Sequence, residues 1–203
     1  MNNSKFVMST SRIETLADGI FAVAMTLLVV NLHIPESIRL TDMQLHVVLI
    51  NQAHKFSNYL ISFLLTAVFW ISHHRQHHFI KRTDYVHLWI NIFILMFVVL
   101  VPFSTSLVGD YGGTKTAEAF FAVNMIIIAL LFLVNWLYAT KNYRLIESDT
   151  SYEIIKDVTR RISLFIAVSV LALILSFFVP PWSSLTYLLI PIGMNVKHLK
   201  KKR

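Results

Sequence analysis

Residues 11–35 read SRIETLADGIFAVAMTLLVVNLHIP, an apolar stretch standing on a charged foot. Residues 19–34 carry no formal charge over sixteen positions, most of a bilayer crossing. The turns before them hold Arg12, Glu14 and Asp18. A charge at mid-bilayer costs about 2.5–3.5 kcal/mol on insertion scales, so such groups are expected to face protein or water rather than lipid. The stretch therefore reads as a membrane-spanning helix whose foot needs partners on other helices.

The rest of the chain has the same character. It has 203 residues, 56% of them hydrophobic and 14% charged, with a mean hydropathy of +0.62. That is too apolar for a soluble domain of this size and points to a polytopic membrane protein. Cysteine is absent, which excludes disulfides, thiolate metal sites and thiol nucleophiles. The start, MNNSKFVMSTSR, is polar, and no cleavable signal is expected. Hydrophobic runs occur at about 13–34, 56–72, 88–108, 119–140, 162–179 and 181–196. With about 20 apolar residues needed per crossing, they predict an all-α fold of six transmembrane helices forming one domain over residues 1–203. The last run is the shortest of loop and the most broken: Pro180-Pro181 precedes it and Pro191 interrupts it, so a tight helical hairpin is expected there.

Lysine and arginine set the orientation. With the N-terminus inside, fifteen of the 18 fall in inside segments, and only Arg39, Lys55 and Lys115 fall outside. Both termini are therefore expected in the cytoplasm. The same distribution accounts for the formal charge of +7 without nucleic acid: the terminal KHLKKKR reads as an anchor at anionic lipid. The loops are short, Gly112-Gly113 reads as a turn, and no internal repeat is visible.

Two clusters could carry chemistry. At about 100° per residue, Gly19, Val23, Thr26, Leu27 and Val30 fall within about 60° of one meridian, and Arg12 projects onto the same line. Asp18 lies about 120–140° away, beside Phe21, Met25 and Leu32, and is expected to point into helix packing. An aliphatic face of this kind serves either helix packing or a pore that gates by dewetting. The second cluster is FWISHHRQHHFIKR, in which His73, His74, His77 and His78 repeat at helical spacing. HHxxHH resembles the histidine boxes of membrane di-iron desaturases, but those need several boxes, and the other histidines here lie singly. No metal, cofactor or catalytic residue is therefore expected. One histidine is expected to serve as a buried partner of Asp18 or Arg12, and Trp70 fits an interfacial aromatic belt.

Arg12-Ile-Glu-Thr-Leu16-Ala17-Asp18-Gly19, running on into IFAVAMTLLV, resembles the R-x-x-x-F-S-D signature of the endosomal and lysosomal potassium channel family (transmembrane protein 175). Trp70-Ile-Ser-His73-His74-Arg75 is similar to a second segment of those proteins. The departure is Leu16-Ala17 where the family has Phe-Ser. The resemblance implies a single-unit prokaryotic channel: a homotetramer in the inner membrane that leaks potassium ions through a central pore lined by the first helix. It implies a hydrophobic constriction at Val23, Leu27 and Val30, a potassium preference set near Thr26, and a helix-holding network of Arg12 and Asp18 with Trp70 and His73 or His74. Val23 and Val30 are smaller than the family's usual isoleucine or leucine, which implies a wider neck. There is no TVGYG-type carbonyl filter. From the residues alone two other classes stay open. One is a proton-conducting channel or proton-coupled transporter that relays through Asp18 and the His73–His78 cluster. The other is a membrane metalloenzyme built on the same histidines.

Overall fold

The computed structural model describes residues 10–32 and 40–190. They form α1 Thr10–Val30, α2 Asp42–Asn51, α3 Ala53–Phe79, α4 Tyr85–Val99, α5 Val101–Asp110, α6 Lys115–Thr140, α7 Tyr152–Phe178 and a short α8 Pro180–Ser183, with 3-10 turns at Lys141–Tyr143 and Ser184–Leu188. An isolated antiparallel bridge pairs Ile80 with Ile146.

Among the described residues, five stretches are long and apolar enough to cross a membrane: Thr10–Val30, Ala53–Phe79, Tyr85–Asp110, Lys115–Tyr143 and Tyr152–Phe178. The helices outrun the hydrophobic runs because local capping extends them. Ser151 accepts the Ile154 N–H and starts α7 ten residues before its apolar run; Thr114 does the same for α6 through the Ala117 N–H. The third span is two helices in line, α4 and α5, divided at Leu100. Pro102 causes the division: it has no N–H to give the preceding turn. The Asn31 side chain donates to the Pro102 carbonyl at 3.0 Å and ties the end of α1 to this break.

A sixth crossing over 181–196 does not appear among the described residues. The segment opens as a single α turn and continues as a 3-10 turn. Ser183 and Thr186 donate back to the Pro180 and Ser183 carbonyls, a local bonding that competes with regular helix. Residues 191–196 lie outside the described residues. The segment is docked onto the bundle by Ser183, which donates to the buried Glu118 carboxylate at 2.8 Å, and by the Tyr187 ring packed against Phe121 and Phe165.

α6 is the spine, with buried residues along its whole length from Ala117 to Ala139. Phe69 of α3 stacks on Phe132 of α6 and packs on Phe165 of α7, locking three helices. The Ile80–Ile146 bridge brings the α3–α4 and α6–α7 loops to one end of the bundle. The Lys55–Asp110 ion pair joins the start of α3 and the end of α5 at the other.

At the first end Asp84 does three jobs. One oxygen caps α4 by accepting the His87 N–H; the other accepts the Tyr138 hydroxyl and the Arg144 Nε–H. Partial burial pushes this carboxyl up, but those three donors outweigh it and hold it below the usual carboxylate range. A depressed folded value means the stabilisation is complete above the unfolded carboxylate value and is lost as pH falls through the folded one. Asp84→Ala is expected to cost about 1 kcal/mol through the lost cap alone. Melting in detergent should also show wild type losing more stability below about pH 4 than Asp84→Asn does.

Candidate pore face and its scaffold

α1 has two faces. Ile13, Ala17, Phe21, Ala24 and Leu28, at spacings of four, four, three and four, are buried against the rest of the chain. The small Ala17 and Ala24 let α1 lie close to its neighbours. The opposite face is uncovered: Val23, Leu27 and Val30 are 55%, 43% and 66% exposed, and Thr26 and Gly19 are exposed with them. Nothing lies within 4 Å of the point where a Gly19 side chain would begin. The Thr26 hydroxyl donates to the Val23 carbonyl at 2.8 Å. Its proton is thus engaged along the helix, while its oxygen keeps acceptor capacity on this exposed face.

The foot differs from expectation in detail. Asp18 does not point into helix packing; it is exposed at the edge of the uncovered face. Its carboxylate accepts the Trp70 indole N–H at 2.9 Å, and the Trp70 ring stacks on His74 at 6.2 Å. The structure thus brings Asp18, Trp70 and His74 together. Trp70 spends its polar edge on a protein carboxylate, which an interfacial aromatic need not do. Arg12 is exposed and pairs with no carboxylate among the described residues.

His73 is not a partner of Asp18 or Arg12. Its ring packs 6.0 Å from Phe21 of α1, and its Nε2–H is placed on the Asn91 carbonyl oxygen at 3.1 Å. Asn91 donates to Asn135 at 3.1 Å, and Asn135 donates to Gln76 at 2.8 Å. Asn91 also donates to His87 Nε2, which leaves the His87 Nδ1–H for the Thr83 hydroxyl at 2.8 Å. All six side chains are buried. His77 donates its Nδ1–H to the His73 carbonyl and stacks on His73 at 4.0 Å, whereas His74 and His78 are exposed. The four histidines therefore split between an inner and an outer side and do not converge on one point. Asn91, Asn135 and Gln76 were not singled out in the sequence. The available signal was two asparagines inside runs 88–108 and 119–140, since polar groups in a membrane helix turn inward and find partners.

Residues 12–102 match the family model described as endosomal/lysosomal potassium channel TMEM175. The chain is 30% identical over 171 residues to a potassium channel of Chamaesiphon minutus, spanning 83% of this chain and 84% of that protein. It is 28% identical over 142 residues to a potassium channel of Streptomyces collinus, 68% of each. In structure it is similar to the crystal structure of a lysosomal potassium-selective channel TMEM175 homolog from Chamaesiphon minutus. The TM-score is 0.80, the identity 27%, and the match covers 93% of this chain and 97% of that one.

The two polar contacts should differ in worth. Asn91→Leu leaves His73 and Asn135 short of a partner in a dry interior, at about 1–3 kcal/mol for each group left unpaired. Trp70→Phe removes one hydrogen bond at an exposed edge, worth about 0.5–1.5 kcal/mol. Thermal unfolding in detergent should rank Asn91→Leu clearly below Trp70→Phe.

Proposed function

This chain belongs to the endosomal/lysosomal potassium channel TMEM175 family, and on that premise we propose that it forms a potassium-permeable cation pore of a prokaryotic cell membrane. Four copies enclose the pore, each contributing the uncovered face of α1, and both termini lie in the cytoplasm. The observation that carries this reading is the one-sided burial of α1: an aliphatic stripe with a single hydroxyl lies opposite the face that packs on the chain's own core. In one copy that stripe has no protein partner. In a ring of four it becomes a wall.

In this reading Val23, Leu27 and Val30 narrow the pore, and water must enter before ions pass. A leak follows if that wetting needs no ligand. Potassium is preferred modestly, because Thr26 offers one hydroxyl oxygen per copy where a carbonyl filter would offer many. No bond changes along this path, so no catalytic residue or cofactor has a role in it. Asp18, Trp70 and His74 hold the foot of α1 against α3, and His73 acts from the buried side through Phe21.

Flux through reconstituted liposomes tests the lining. Leu27→Ala widens the neck, and lowering the dewetting barrier by about 1.4 kcal/mol would raise potassium flux about tenfold. Val23→Ile should reduce it. Unchanged flux in both variants would remove this face as the pore wall.

The proton-relay reading gains less support, because the hydrogen bonds of His73 lead to α4 and α6 and not to Asp18. Asp18→Asn keeps an acceptor for the Trp70 N–H, so potassium currents should persist in that variant. A steep acid-driven conductance abolished by Asp18→Asn, with folding intact, would favour the relay instead.

A further inference from the structure

The segment that follows α7 is docked by a polar contact with one proton too few. Ser183 Oγ lies 2.8 Å from Glu118 Oε2 and 2.9 Å from the Pro180 carbonyl oxygen. A hydroxyl has one proton to give. With Glu118 ionised, both neighbours are pure acceptors, and Ser183 can serve only one of them. The other contact is then two oxygens at hydrogen-bonding distance with no proton between their lone pairs.

The surroundings of Glu118 weigh further against a charge. Glu118 is 1% and Ser183 2% exposed. Glu118 Oε1 is buried with no hydrogen-bond partner among the described residues, so Ser183 is the one donor the carboxyl has there. Glu118 forms no ion pair among the described residues, and no neighbouring charge acts on it. α8 and residues 162–178 of α7 carry no ionisable side chain. The 3-10 turn brings the Tyr187 phenol within electrostatic reach. On α3 and α5, Lys55 pairs with Asp110, and His54 meets Asn58 at 3.1 Å. α4 carries Tyr85 and His87 at the opposite end of the bundle, and Lys115 of α6 itself is exposed. A buried carboxylate with no cation and one donor is among the costliest groups a folded chain can hold.

We propose that Glu118 is a proton-binding site that locks the segment 180–188 onto α6. The neutral acid donates its Oε2–H to Ser183 Oγ, and the Ser183 hydroxyl is freed to donate to the Pro180 carbonyl. Each short contact then contains a proton, and no net charge is buried. Hydrogen positions follow from the network of heavy atoms, and this network reverses the donor that an ionised Glu118 would require. The site stands at the end of the bundle marked by the Lys55–Asp110 pair, about one helical turn from Lys115. Its shortest proton route is therefore to water at that end. Loss of the proton turns Ser183 to the carboxylate, releases Pro180, and leaves a charge that draws water under the segment. Neither ion conduction, nor Asp18, nor the histidines enter into this site.

Infrared difference spectroscopy of the full chain in detergent tests the proton directly. At neutral pH wild type should show a protonated-carboxyl C=O band that is missing in Glu118→Gln and shifted in Ser183→Ala, where the acceptor is gone. No such band in wild type, a band that survives in Glu118→Gln, or one that ignores Ser183→Ala would overturn the proposal. Melting gives a second reading, because Glu118→Gln keeps a donor but cannot ionise. The folded state holds a proton that the unfolded chain has released, so raising the pH favours unfolding. Between about pH 5 and about pH 7, the folding equilibrium constant of wild type should fall relative to Glu118→Gln by up to about tenfold per pH unit. Parallel curves would count against the proton. So would wild type alone melting higher in sodium or potassium chloride than in choline chloride, since that identifies a metal-cation site. If Glu118→Gln fails to fold, the wild-type band and its shift in Ser183→Ala decide the matter.

Discussion

The architecture depends on the side chain of Asn91. Inside a membrane no water relieves an unpaired amide, so every polar group brought into the bundle must meet another protein group. Asn91 meets three. It accepts from His73 on α3, donates to Asn135 on α6, and bonds back to His87 one turn below on its own helix. Gln76 and Thr83 close the two ends of the chain. Each bond is directional, so the network admits one rotation of α3, one of α4 and one of α6. Apolar contacts alone would tolerate neighbouring registers.

From that rotation the placement of α1 follows. His73 is held by Asn91, and its ring meets Phe21; three residues earlier on α3, Trp70 reaches Asp18. The two contacts grip α1 from its buried face and from its edge. With Ala17 and Ala24 seated close against the bundle, the meridian through Val23 and Val30 can only face away. The buried histidine therefore shapes the outer face without lying on it. Its partner is an amide, so the contact carries no net charge.

The bundle's two ends are built differently. At one, Asp84 links a helix cap, Tyr138 and Arg144, and the Ile80–Ile146 bridge ties the loops together. At the other, the final described segment is pinned by Ser183 on Glu118 and by Tyr187 among aromatic rings. The 3-10 turn there reflects hydroxyls that bond their own backbone. Hydropathy is blind to that effect, because serine and threonine barely lower the score of an apolar run.

Much of this was legible in the sequence. Charge-free runs near 20 residues imply membrane helices because the bilayer has a fixed thickness, and five such spans are present among the described residues. The 100° repeat grouped Val23, Thr26, Leu27 and Val30 on one face of α1, because side-chain direction within a helix is a local property. The Arg12–Asp18 spacing and the Trp70 segment marked the family. Partners were another matter. Composition could not say that Asp18 takes Trp70 while His73 takes Asn91, nor that Arg75 meets Asp157, 82 positions away. Those pairs depend on how whole helices rotate and slide against one another, and that is decided by steric fit and polar satisfaction summed over every interface at once. Hydropathy and the helical repeat settled five of the six expected crossings and the residues that share a face of α1, but not the end of the chain, where local hydroxyl bonding overrides an apolar run. Which face turned inward was settled by the packed helices, because burial is a property of neighbours.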